Sequence, residues 1–485
     1  CGFVYISASH NPIGHNGFKF GLADGGILPA DEAHKLTEHF RSLMADSARL
    51  EKLIADVNSA SPPEFAALPT ALLAAKQEAW DAYFNFSNEV AWAGNTSGIT
   101  EILQRGIAEQ PLGVCCDFNG SARCVSIDRE FLGGLGIQCA AINAEPGAIV
   151  HRIVPEGESL EPCRAFLEEQ HRRDPAFVLG YVPDCDGDRG NLVIWDSNAQ
   201  KARALEAQEV FALACIAELA QLVWTGALQG GAQAAVAVND PTSLRIDRIA
   251  EAFGVSVFRA EVGEANVVGL ARKLRASGYT VRILGEGSAG GNITHPSAVR
   301  DPLHTVLALT KLLSLRTTSK GPGLFELWCT ASAQAERYHP HFDMSDVIAS
   351  LPPYATTGAY SPEAALNVIS TDHGALKSRY QSIFAREWKE RADDFNARYG
   401  IHHWEASAYN RIEERKGIAD FGDAGRGGLK ICFYNVHNKA IASIWMRGSA
   451  TEPVFRVMAD APDRRIEREL IEWQRRMVTE ADTGP

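Results

Sequence analysis

Gly2-Phe3-Val4-Tyr5-Ile6 runs straight into Ser7-Ala8-Ser9-His10-Asn11-Pro12-Ile13-Gly14-His15-Asn16-Gly17-Phe18-Lys19-Phe20. The first five residues form an apolar run that predicts a buried strand, and Asn11-Pro12 and Asn16-Gly17 are turn formers that end it abruptly. A strand that hands Ser9 to a polar loop is a common way to present a nucleophile, and a surface turn rich in small polar residues is the plainer alternative. The strand-then-loop order recurs. Residues 112–117, 176–181, 233–238 and 280–284 are strand-like runs separated by helical patterns, which predicts α/β units built on parallel sheets.

Working outward, a helix is expected over 31–55, then a Pro- and Ala-rich stretch and a second helix ending near Phe86. Between 317 and 410 the pattern loosens, and an irregular connection with long helices is expected there. From 429 onward the reading is a small α+β unit, with strands at 430–434 and 440–446 and an amphipathic helix at 464–478. The expected divisions are 1–95, 96–200, 201–325, a connection over 326–410, and 411–485.

The 485 residues, 46% hydrophobic and 22% charged, describe a folded chain of several domains. A net charge of -13 argues against nucleic acid and against anionic membranes as partners. The most apolar segment, 210–224, is interrupted by Glu218 and Gln221 and reads as a buried helix. Ten cysteines without a C-x-x-C pair suit reduced, buried thiols and a cytoplasmic location. The chain opens on Cys1 inside a strand, which leads us to expect a fragment of a longer protein.

Three further loops carry chemistry. In Pro183-Asp184-Cys185-Asp186-Gly187-Asp188-Arg189-Gly190 the alternation of acidic residues crowds three carboxylates, which is unfavourable unless a cation sits among them. An all-oxygen cluster suits Mg²⁺, whereas an EF-hand is excluded because its sixth and twelfth positions hold Arg189 and Trp195. Gly285-Glu286-Gly287-Ser288-Ala289-Gly290-Gly291 fits the dinucleotide fingerprint G-x-G-x-x-G and raises a nucleotide-dependent oxidoreductase as a rival reading. Pro296 and Pro302 follow where that fingerprint needs a helix. Glu286 and Ser288 are better suited to hydrogen-bonding sugar hydroxyls. Arg447-Gly448-Ser449-Ala450-Thr451-Glu452-Pro453 describes a phosphate cradle in which Arg447 supplies a planar fork and Ser449 and Thr451 neutral donors.

Together, in this order, the four loops resemble the α-D-phosphohexomutases, the phosphoglucomutase and phosphomannomutase superfamily. The family's T-A-S-H-N-P stands here as Ser7 to Pro12, its N-G-F-K as Asn16 to Lys19, its D-x-D-x-D-R as Asp184 to Arg189, its G-E-x-S-G as Gly285 to Ala289, and its R-x-S-G-T-E-P as Arg447 to Pro453. The chain departs from the pattern in lacking the family's N-terminal segment and in carrying Ala450 for a glycine, Ala289-Gly290-Gly291 at the end of the sugar loop, and Glu261 near where some members carry a basic residue.

The resemblance implies three similar α/β/α mixed-sheet domains, the first incomplete, and a smaller C-terminal α+β domain around a central cleft. It implies that Ser9 carries a phosphoryl group and joins Asp184, Asp186 and Asp188 in holding Mg²⁺, that Arg189 steadies that phosphate, and that His10 and Lys19 move the hydroxyl proton. It also implies a hexose 1,6-bisphosphate as intermediate and activator, gripped at its far phosphate by Arg447, Ser449 and Thr451, and a last domain that hinges over the cleft. A non-catalytic phosphosugar binder, or a mutase for an amino sugar or pentose phosphate, stays open as an alternative.

Overall fold

A computed structural model describes residues 2–7, 14–59, 62–93, 98–288, 290–448 and 454–483. The chain opens with a hairpin of β1 (Gly2–Ile6) and β2 (Phe18–Leu22), antiparallel with Ile6 opposite Phe18. The opening strand is not buried, contrary to its apolar sequence: Ile6 is 63% and Phe18 68% exposed. Among the described residues β1 and β2 form a two-stranded sheet of their own, extended only by a bridge from Gly21 to Ile27, so the hairpin does not share in a larger sheet whose packed face would cover it.

The helix expected over 31–55 is two helices, α1 (Ala30–Ala45) and α2 (Ser47–Asn58). Asp46 divides them, since its side chain accepts the Arg49 N–H at 3.1 Å and caps the second helix. The next helix, α3 (Pro62–Trp92), runs six residues beyond the expected end at Phe86.

The second unit follows α4 (Ile99–Glu109) with β3 (Gly113–Asp117), α5 (Asp128–Gly134), β4 (Gln138–Ile142), α6 (Glu161–Arg173), β5 (Phe177–Pro183), β6 (Gly190–Asp196) and β7 (Lys201–Ala204). Its sheet has the order β4-β3-β5-β6-β7, with β3 parallel to both neighbours and the last two strands antiparallel. Next come α7 (Ala207–Trp224), β8 (Ala235–Asn239), α8 (Arg245–Ala252), β9 (Ser256–Ala260), α9 (Glu264–Ala276), β10 (Ile283–Gly285), β11 (Asn292–Thr294) and α10 (Pro302–Ser314). Their sheet runs β11-β10-β8-β9, parallel except for β11. The α7 helix is apolar and long enough to cross a membrane by composition, but 78% of that window is buried, as expected of a core helix.

After α11 (Leu324–Ala331) and α12 (Met344–Ala349), the last unit is assembled from β12 (Ala355–Thr356), β13 (Ala365–Asn367), α13 (His373–Tyr399), β14 (His403–Asn410), β15 (Glu413–Lys416), β16 (Gly428–Tyr434), β17 (Ala440–Gly448), β18 (Val454–Ala461) and α14 (Arg464–Thr483). Its sheet is antiparallel throughout. Much of the stretch expected to be a connection over 326–410 therefore belongs to this unit: β12 and β13 pair with β18, and Leu376, Tyr380 and Phe384 of α13 enter its core. Short two- and three-residue strands carry no periodicity, which is why the sequence did not announce them.

The third and last units join through buried polar groups. Lys430 Nζ donates to the carbonyls of Asp240 at 2.9 Å and Thr242 at 3.2 Å. Ser243 Oγ and the Leu244 N–H donate to Asp460 at 2.7 and 2.8 Å, and Trp445 Nε1 donates to the Asp240 carboxylate. Gly428 is required here, because a Cβ at that position would lie 1.6 Å from Asp240 Oδ2.

Burial pushes the Asp240 carboxyl up to about 7, against Trp445, Arg447 and Lys430, which favour the anion. A carboxyl raised above its ordinary 3.8 stabilises the fold fully below pH 4, and that contribution is lost as pH rises through about 7. Asp240→Asn, which resembles the protonated acid, should remove this slope. Relative to wild type, the variant should gain about 4 kcal/mol of unfolding free energy between pH 4 and pH 8. Urea unfolding across that range checks it, and a difference that stays constant with pH would count against the assignment.

Candidate active site

Each of the four loops singled out in the sequence connects two strands that pair antiparallel: β1–β2, β5–β6, β10–β11 and β17–β18. The glycine loop is accordingly followed by β11 and not by a helix, so no helix N-terminus stands ready for a pyrophosphate and the dinucleotide reading falls.

The acidic loop is closed by Asp184, whose N–H donates to the Arg189 carbonyl at 2.9 Å. Its Oδ1 accepts the N–H groups of Gly187 and Arg189 at 3.0 and 3.2 Å. Gly187 takes φ +76°, and a Cβ there would press within 3.0 Å of the Arg123 side chain, whose Nε holds the Gly187 carbonyl at 3.1 Å. Asp184, Asp186 and Asp188 each offer one carboxylate oxygen, all within 4.8 Å of one another.

Such crowding has a measurable electrostatic signature. Burial, then the charges of Asp188 and Asp186, pushes the Asp184 carboxyl up to about 8. Asp188 is held below its ordinary value: burial opposes ionisation there, but Arg300, Arg189 and Lys19 outweigh it. Among the described residues, Asp184 Oδ2, Asp186 Oδ1 and Asp188 Oδ1 are buried and accept no hydrogen bond. Buried carboxylate oxygens that accept no hydrogen bond, with only the Arg189 charge beside two of them, fit a hard divalent cation.

The opening hairpin meets this loop. Ser7 Oγ donates to Asp186 Oδ2 across 179 residues of sequence, and Lys19 Nζ lies 3.8 Å from the same oxygen. Ser9 and His10, between them in sequence, lie outside the described residues, as do Ser449 and Thr451 of the phosphate loop. Lys19, Asp186 and Asp188 line one cavity of about 860 Å³ together with Arg123, Glu264 and Arg300.

Arg300 links the acidic loop to the glycine loop. Nearly buried, it places Nη2 2.9 Å from Asp188, Nε 2.6 Å from Glu264 and Nη1 3.5 Å from Glu286. Glu286 is itself 6% exposed and accepts the Gly263 N–H at 2.7 Å, and Ser288 accepts from Asn239 at 2.8 Å. Neither side chain lines the cavity that Asp186 and Asp188 line, and Ser288 borders a separate cavity with Gln208 and Thr356. Arg447 is likewise absent from that lining, and its Nε is paired with Glu261 at 2.9 Å.

Arg123, Glu264 and Arg300 escaped the sequence reading as site residues. Only the position of Arg300, immediately before Asp301, the helix cap of α10, offered a signal.

Comparison with known proteins adds independent findings. Residues 1–46 match the family described as phosphoglucomutase/phosphomannomutase, alpha/beta/alpha domain I, and residues 210–328 match domain III of the same family. A phosphoglucosamine mutase from Thioalkalivibrio sulfidiphilus (strain HL-EbGR7) is 30% identical over 270 residues, which is 55% of this chain and 48% of that protein. The match thus spans about half the length of the curated relative.

Among solved structures, the putative phosphomannomutase from Thermus thermophilus shares 17% identity at a TM-score of 0.52, over 99% of this chain and 78% of its own. The Paramecium phosphoglucomutase pp63/parafusin shares 14% identity at a TM-score of 0.56, over 99% and 77%. At these identities the likeness concerns the fold. Residues 1–46 and 210–328 thus match domains I and III of the phosphoglucomutase/phosphomannomutase family, and the chain has a mixed α/β fold like that of multidomain phosphohexomutases.

Proposed function

We propose that this chain belongs to an enzyme that moves a phosphoryl group between the 1- and 6-positions of a hexose phosphate, using a phosphoserine at Ser9 and a hexose 1,6-bisphosphate intermediate. The observation that carries the reading is the meeting of the opening hairpin with the acidic loop: Ser7 and Lys19, which flank Ser9 in sequence, both address Asp186.

Phosphoryl transfer asks a protein mainly for positioning and for neutralisation of charge. Asp184, Asp186 and Asp188 would hold a divalent cation such as Mg²⁺, which supplies charge neutralisation for the transferring phosphoryl oxygens when bound. Arg189 presents a guanidinium beside the same carboxylates, and Lys19 brings a second cation to the cavity wall. Lys19 and His10 are the groups assigned to hydroxyl proton movement. Arg447, with Ser449 and Thr451, would grip the far phosphate at either end of the sugar. Glu286 and Ser288 are held by Gly263 and Asn239, and in this reading they shape the sugar subsite.

An amino sugar as substrate is favoured by one specific finding, the 30% identity with a phosphoglucosamine mutase.

The test is mass spectrometry of the Ser9 peptide, combined with assays on glucose, mannose and glucosamine 1-phosphates primed with the matching bisphosphate. We expect a phosphate on Ser9 and turnover of at least one sugar, with Ser9→Ala slower by about 10³-fold or more. An unmodified Ser9 in a protein that binds but does not convert phosphosugars would establish the binder instead.

Glu261 provides a second expectation. It neutralises Arg447, so an incoming phosphate must displace it. The pair is partly exposed, which keeps the effect modest, and Glu261→Gln should lower KM about threefold with kcat nearly unchanged. A raised KM in steady-state kinetics would mean that Glu261 holds Arg447 in place for the substrate.

A further inference from the structure

Tyr360 lies between β12 and β13, two short strands that both pair with β18. Around it the chain is bound to β18 from both sides: the Thr357 N–H donates to the Ala459 carbonyl at 2.9 Å, and Arg456 Nη1 donates to the Ala359 carbonyl at 3.1 Å. β18 begins directly after the phosphate loop.

The Tyr360 hydroxyl accepts from Arg189 Nη1 at 2.8 Å, across 171 residues of sequence. Arg189 is 6% exposed, and its Nε faces Asp184 Oδ2 at 3.2 Å and Asp188 Oδ1 at 3.7 Å. One guanidinium therefore has carboxylates at one edge and a phenol, mounted on the last unit, at the other.

We propose that Tyr360 is a positioning residue that sets the orientation of the Arg189 guanidinium and so ties the acidic loop to the strand that carries the phosphate loop. The proposal deepens the phosphohexomutase reading and rests on it. A guanidinium is planar, so an acceptor at one edge fixes where its other donors point. Without the phenol, the Arg189 fork can turn further donors onto Asp184 and Asp188, which its Nε already faces, and compete with the ion for them. With the phenol in place, one edge of the guanidinium is held by the last unit and only its Nε faces the carboxylates. Because the phenol travels with β18, the orientation is right only when the last unit is seated.

Tyr360→Phe removes the acceptor and keeps the ring. Mn²⁺ affinity, read by electron paramagnetic resonance, should weaken about tenfold, and kcat should fall about tenfold while KM changes less than about twofold. A structural role alone would lower the thermal midpoint and leave Mn²⁺ affinity in place. Mn²⁺ affinity and kcat within twofold of wild type, with an unchanged midpoint, would overturn the proposal.

Should Tyr360→Phe fold poorly, Arg456→Gln, which loosens the brace on Ala359, carries the test through the same Mn²⁺ measurement. An expected weakening of about threefold supports the proposal and an unchanged affinity refutes it. The wild type separates the two readings. Wild-type protein that binds no Mn²⁺ sinks the cation assignment and this proposal with it. Wild type that binds Mn²⁺ without turnover sinks only the mutase reading, and the Tyr360 comparison is then decided on Mn²⁺ affinity.

Discussion

Three carboxylates cannot share one hairpin tip without compensation. Asp184 answers with a carboxyl pushed to about 8, and Asp188 with two guanidinium neighbours. The surrounding architecture follows from the need to bring positive charge to this point from distant parts of the chain. Lys19 arrives from the opening hairpin, Arg189 from the loop itself and Arg300 from the segment before α10. Each buried guanidinium is shared among several acceptors, as its desolvation demands. Arg300, held by Asp188, Glu264 and Glu286, thereby makes the acidic loop and the glycine loop one electrostatic unit.

Hairpin tips suit this task. A tip places a few polar residues beyond the end of a sheet while the paired strands below fix its register. Pro183 opposite Gly190 and Gly285 opposite Asn292 mark where pairing stops and the two loops begin. Arg123 adds a second support under the acidic tip, since it also meets Tyr83 at 2.6 Å and Asp128 at 3.3 Å, and so anchors the loop to α3 and to α5.

What the sequence made legible was whatever repeats or clusters locally. Buried parallel strands such as β3 and β8 are continuous apolar runs, and the acidic loop declares itself by three aspartates at alternate positions. What it hid depends on partners far away in the chain. β1 has the composition of a buried strand yet stands exposed, because burial belongs to the layer opposite and not to the strand. Glu261, Arg123 and Tyr360 are single polar residues in unremarkable surroundings, and only the fold shows that they face Arg447, Gly187 and Arg189. The break at Asp46 was available in principle, since aspartate is a good cap, but a capping residue within a long helical pattern is ambiguous until the backbone is seen to turn.

The expectation that the last unit hinges can be weighed against the contacts that hold it. Its junction with the third unit is buried: Lys430 is 1%, Asp240 0% and Asp460 3% exposed, and all three have partners across the boundary or beside it. Separating such groups would strand desolvated charges, a cost of several kcal/mol. Toward the second unit the contacts are of another kind: Arg464 to Glu206, the cap of α7, at 2.7 Å, where both side chains are more than two-fifths exposed, and Arg189 to Tyr360. An exposed ion pair gives up about 1 kcal/mol or less when it opens. Any swing of the last unit would therefore pivot on the Asp240 junction and open on the side of the second unit, so that the first polar contact near the acidic loop to change is the one between Arg189 and Tyr360.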